Sequence, residues 1–156
     1  MKSVVAAALV ACISAHCQVP CGIFDDPKLV AELLEACATI EKAMAQIQEL
    51  YGKMSEGPLV LNQITRWINT KEEHCAKIID LISNYCLCQR CKPFGAPGSP
   101  FKTKEDYTDA LLAHHAVMSA AMKAKQNVDP SFSAGLKHAV GDATLMYKPV
   151  APPAAP

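Results

Sequence analysis

The sequence predicts an all-α protein, an antiparallel four-helix bundle, and three observations predict it. Glycine and aromatic residues are sparse, 7 glycines and 6% aromatics in 156 residues, whereas Ala, Leu, Ile, Lys and Glu abound, a composition that favours helices over sheet. Apolar residues recur in alternating steps of four and three, the spacing of a stripe along one helix face. Four such runs are divided by short stretches containing glycine or proline. Short connections place consecutive helices side by side and antiparallel. The length suits one domain with a real core and requires no second.

Asp25 and Asp26 precede Pro27, an acidic N-cap followed by proline at the first helical position. Leu29, Leu33, Ala36, Ile40, Ala43, Ile47 and Leu50 then form the first stripe, which Gly52, Gly57 and Pro58 interrupt. The second runs through Ile64, Ile68, Lys71, Cys75, Ile78, Ile82 and Tyr85, with Lys71 the one position that does not fit, and predicts a helix over about residues 60–88. "CKPFGAPGSP" is a connecting loop. Thr103 with Asp106 makes an approximate capping box for the third helix, whose stripe is Tyr107, Leu111, His114, Met118 and Ala121. A further Asp-Pro start at Asp129 and Pro130 opens the fourth, with Phe132, Leu136, Ala139, Ala143 and Met146. The closing "KPVAPPAAP" is proline-rich, an extended or disordered tail. Helix four is the shortest and the last two stripes are alanine-rich, so the bundle gains by burying apolar surface against other subunits.

Lys plus Arg equals Asp plus Glu, 15 each, so no basic surface argues for nucleic acid or acidic lipid as a partner. The opening "MKSVVAAALVACISA" holds one lysine and an apolar run from Val4 to Ile13, too short to span a bilayer. It reads as a targeting leader removed after Ala15, with an apolar helix retained on the core as the alternative. The chain then divides into a cleaved leader, 1–15, a hook, 16–24, a bundle, 25–147, and a tail, 148–156. A leader implies export or delivery to an organelle; plastid, periplasm and exterior all remain open.

Removal of the leader makes His16 the first residue of "HCQVPCGIF". Its α-amine, the backbone amide nitrogen of Cys17 and the thiolates of Cys17 and Cys21 can then close around one metal ion in a plane, with the His16 imidazole reaching over it. Two nitrogens and two sulfurs in a plane select Ni(II) or Cu(II) over zinc, which prefers a tetrahedron. Pro20 and Gly22 supply a rigid bend followed by a permissive one.

"HCQVPCGIFDD" closely resembles the nickel hook of the nickel superoxide dismutases, His-Cys-x-x-Pro-Cys-Gly-x-Tyr at a processed N-terminus, and departs from it only at the last specified position, Phe24. "IEKAM" and "KEEH" are similar to the family's first two helices, so the resemblance spans most of residues 16–93 and thins afterwards. It implies a superoxide dismutase that cycles Ni(II) and Ni(III) to give dioxygen and hydrogen peroxide. One nickel per subunit would be bound by the amine and imidazole of His16, the amide and thiolate of Cys17 and the thiolate of Cys21. It also implies a homohexamer with the hook at a subunit contact. Glu32 falls at the position of a carboxylate that orients the axial imidazole. His74 stands where many relatives have arginine or glutamate, and Lys92 at a cationic position near the site entrance. Phe24 can exclude water but cannot hydrogen-bond an incoming anion. Tyr85 comes too early to match a second family tyrosine.

Other residues have plainer readings. Cys37 and Cys75 are small buried hydrophobes. Cys86, Cys88 and Cys91 are denser, and Cys88-x-x-Cys91 is half a zinc site or a disulfide, without a second cluster to complete a zinc site. Of the adjacent His114 and His115, one faces the core; His138 is a solvated or core histidine rather than a ligand, and Trp67 is core. Two rival readings stand beside the enzyme: a nickel or copper carrier without turnover, and a metal-free exported bundle stapled by disulfides.

Overall fold

The computed structural model describes residues 26–147. The leader, the hook residues His16, Cys17, Cys21 and Phe24, and the tail expected at 148–156 lie outside them. The described residues form α1 (Pro27–Tyr51), α2 (Pro58–Asp80), α3 (Lys104–Lys125) and α4 (Pro130–Ala143), with no strand among them. α1 packs against α2 and α4, and α3 packs against the same two, so the helices close a ring in chain order. This is the antiparallel four-helix bundle that the periodicity predicts.

The core is the sum of the four stripes. Leu29, Leu33, Ile40, Met44, Ile78, Leu136 and Val140 have no exposed surface. Each such side chain contributes about 1.5–3 kcal/mol by leaving water. A smaller cluster at the far end joins Ile47, Val60 and Ile64, with Trp67 and Leu50 half-buried against it. The seam of α2 therefore passes through Trp67, and Ile68, expected on it, is 39% exposed. On α4 the buried set is Ser133, Leu136, Val140 and Ala143, offset by a residue at two positions from the predicted stripe. Phe132 and Ala139 flank it instead.

Local sequence explains the helix ends. Thr103 accepts from the Asp106 amide at 3.0 Å, and Asp106 accepts from the Thr103 amide at 3.1 Å, so the capping box is complete. Asp129 caps α4 through the Ser131 amide at 2.8 Å. Between residues 91 and 103 the chain makes two turns that place Gly95 and Gly98 at φ +82° and +73°, a region that favours glycine.

Lys71, the residue that broke the second stripe, is buried. Its ammonium donates to the Ala124 carbonyl at 3.2 Å and to the Lys125 carbonyl, and pairs with Glu72 at 2.7 Å. Those carbonyls belong to the open end of α3, which leaves its last acceptors without helical partners. A cation at that point is satisfied by the dipole of the helix it caps.

The second helical run ends within two residues of the expected point, but it is α only as far as Asp80. Past Asp80 the backbone widens into a π-helix, Leu81–Arg90, closed by a bond from the Cys91 amide to the Cys86 carbonyl at 2.9 Å. At roughly 4.4 residues per turn, side chains five apart lie about 50° from each other around the axis. In an α-helix they would diverge by about 140°. Tyr85 and Arg90 are thereby brought to one face, and Cys86 and Cys91 to the next.

Candidate metal centre

The described residues begin at Asp26, two positions past the end of the expected hook. Its φ of 52° is the only positive value at a non-glycine residue among those described. The sequence reads Asp26 as the N-cap of α1, but its carboxylate bonds none of the helix amides. It is turned inward and buried, accepts a hydrogen bond from the Tyr85 hydroxyl, and lies 2.7 Å from Arg90 Nε. The Arg90 N–H is directed aside, so that contact is ionic rather than a hydrogen bond. Burying a carboxylate is tolerable only when it is paired, and the π-helix delivers both partners. Burial first, and the bond to Asp26 second, push the Tyr85 hydroxyl well above its usual pKa.

Next to this ion pair is a neutral cluster. The Tyr147 hydroxyl meets His114 Nε2 at 2.6 Å and also contacts the thiols of Cys86 and Cys91. His114 Nδ1 faces the Ala110 carbonyl at 2.6 Å and the Cys91 sulfur at 3.7 Å. A carbonyl only accepts, so Nδ1 carries the proton, and the neutral ring then accepts from Tyr147 at Nε2. Burial drives every member toward its neutral form: His114 down, Cys86 up to about 12, Cys91 and Tyr147 up. The Arg90 guanidinium sits 6.0 Å over the Tyr147 ring and links the cluster to Asp26. As expected, His114 faces the core and His115 is exposed.

The structure distributes the remaining candidate residues unevenly. Glu32 on α1 pairs with Lys77 on α2 at 2.8 Å, a partner the sequence reading did not name. His74 lies one turn before Lys77, and its buried Nδ1 has no hydrogen-bond partner among the described residues. Lys92 is exposed on the loop after the π-helix, its ammonium 3.1 Å from where a Cβ would stand at Gly98. Missed altogether were the roles of Asp26, Tyr85, Arg90 and Tyr147. The signal available was the i, i+5 spacing of Tyr85 with Arg90 and Cys86 with Cys91, which an α-helical reading sets on different faces.

Cys37, Cys75, Cys86, Cys88 and Cys91 are all free thiols, so Cys88 and Cys91 are not paired. Cys37 and Cys75 are buried, as expected, and burial raises each to about 11. Among the described residues no group of three His, Cys, Asp or Glu side chains is disposed to hold a metal. Nor is any of their helices long and apolar enough to cross a membrane. The nitrogen and sulfur donors gathered at residues 16–21 are the set whose chemistry fits nickel.

A family model described as nickel-containing superoxide dismutase matches residues 11–149, a span that includes those donors and the whole bundle. No curated protein and no solved structure matches the chain. That match covers most of the chain, and with the four-helix bundle it places the chain in the nickel-containing superoxide dismutase family, an oxidoreductase with a nickel cofactor.

Proposed function

We propose that nickel is bound, one ion per subunit, by the His16 amine and imidazole, the Cys17 amide and thiolate and the Cys21 thiolate, after removal of residues 1–15. The observation that carries this reading is the family match over residues 11–149, a span that contains "HCQVPCG". When bound, nickel supplies one-electron chemistry between Ni(II) and Ni(III), by which two superoxide anions and two protons give dioxygen and hydrogen peroxide. The activity is antioxidant.

The chain's own residues supply orientation and access. Glu32, held by Lys77, is suited to steady the His16 ring, and the unpartnered Nδ1 of His74 supports a role for it toward the same end, since a buried polar atom left unpaired costs about 1–3 kcal/mol. Phe24 excludes water without offering a hydrogen bond. Lys92 is an exposed cation that attracts a small anion. Neither Asp26 nor Tyr85 is suited to give up the protons: the first is the anion of an ion pair, and the second holds its proton more tightly than a free phenol. Proton supply falls to water or to a group of the hook.

A homohexamer accords with the apolar residues that remain exposed, including Leu59, Leu61, Leu112 and Leu145. Leader removal implies export or an organelle. The test is nickel content and superoxide loss, coupled to xanthine oxidase, for the processed protein and for Cys17→Ser. The variant loses both. Equal rates in the two proteins would overturn the enzyme reading, and bound nickel without superoxide loss would make the chain a carrier.

A further inference from the structure

We propose that Asp26, Tyr85 and Arg90 form a latch that fixes the direction in which residues 16–25 leave the bundle, and that the π winding of Leu81–Arg90 serves to close it. The latch rests on the described residues alone; that it positions a metal site rests on the nickel reading.

Three observations converge on it. First, Asp26 adopts a left-handed backbone that a residue with a Cβ seldom keeps unless its surroundings impose it. An Asp-Pro helix start demands no such conformation. Asp129 precedes Pro130 in the same way, lies at φ −72° and caps its own helix. Asp26 shares the sequence feature and does the opposite, turning its carboxylate away from the α1 amides and into the bundle.

Second, what it meets there is specific. Both partners come from one helix, five residues apart, and that spacing converges on a single carboxylate only when the turn is widened. A ten-residue π-helix forgoes the regular α ladder, and the meeting of Tyr85 and Arg90 at Asp26 is a contact that α winding would forbid.

Third, Arg90 is itself held, its guanidinium over the Tyr147 ring in the 3-10 turn that follows α4. The latch therefore ties the start of α1 to the end of the π-helix and the turn after α4. Tyr85, with its hydroxyl committed to Asp26, acts as a positioning residue.

Phe24 stands two residues before Asp26, so chymotrypsin cutting after Phe24 must accommodate Asp25 and Asp26 in its own cleft, which requires the latch to open. In the nickel-free protein we expect Tyr85→Phe and Arg90→Met to release the fragment ending at Phe24 at least about tenfold faster than the parent, with a smaller increase for Arg90→Lys, which keeps the charge. Ile78→Val, a core change away from the latch, controls for lost stability and leaves that rate unchanged. In the nickel-loaded protein the same latch variants release metal to a chelator faster, and Ile78→Val does not. Equal cleavage in Tyr85→Phe, Arg90→Met and Ile78→Val overturns the latch. Faster cleavage with metal release unchanged overturns its positioning role. A parent that takes up no nickel while the cleavage difference persists defeats the nickel reading and leaves the latch standing. Should Tyr85→Phe fail to fold, the two Arg90 variants carry the comparison.

Discussion

His114 is fully buried, and its two ring nitrogens are committed to Ala110 and Tyr147, contacts that the neutral imidazole with its proton on Nδ1 satisfies. Burial lowers its pKa below the ordinary 6.5. Above that value neither the folded nor the unfolded chain protonates the ring, and the network's stability is fully present. As the pH falls through the unfolded value, the unfolded chain binds a proton that the native state refuses, and stability declines until the folded pKa is passed. Urea midpoints between about pH 7.5 and about pH 5 should therefore fall with pH, and a midpoint that stays level would contradict the assigned protonation. The legibility of single residues varied for a physical reason. The donors proposed at the head of the chain follow one another within six residues, so proposing them needs no fold. The environment of Asp26 depends on a tyrosine 59 residues away, and the Asp-Pro dipeptide also spells an ordinary helix start.

At the level of elements, Lys71 joins α2 to α3 by closing the carbonyl end of the latter. Replacing it with methionine keeps most of the stem and removes a donor that two carbonyls share: Ala124 keeps the Asn127 amide at 3.4 Å, whereas the part-buried Lys125 carbonyl loses its partner. Lys71→Met should cost about 1–3 kcal/mol in urea unfolding without altering the m-value; a loss within error of zero would show that water satisfies that carbonyl. In the sequence Lys71 could only be marked as a misfit, because its partners lie on another helix. The first helix was legible throughout: its predicted stripe from Leu29 to Ile47 is the buried one. In α4 small residues flank the seam on both sides, so periodicity alone did not separate Ser133 from Phe132 or Val140 from Ala139. The π-helix had no compositional signature, since Leu, Ile, Tyr and Cys suit either winding.

At the scale of the whole bundle, packing sorts the thiols of the described residues. Cys37, Cys75, Cys86 and Cys91 are buried and Cys88 is exposed. A water-soluble thiol reagent applied to the native protein should modify Cys88 first among these five, and the other four only on unfolding, as read by peptide mass mapping. Early labelling of Cys75 would mean that the bundle opens locally between α1 and α2. The same packing gives the carboxyl end a definite boundary. The 3-10 turn Thr144–Tyr147 seats the Tyr147 phenol among an imidazole, two thiols and a guanidinium. A chain stopped at Ala143 would leave a phenol-sized hole facing those four groups, so truncations and fusion partners belong beyond residue 147.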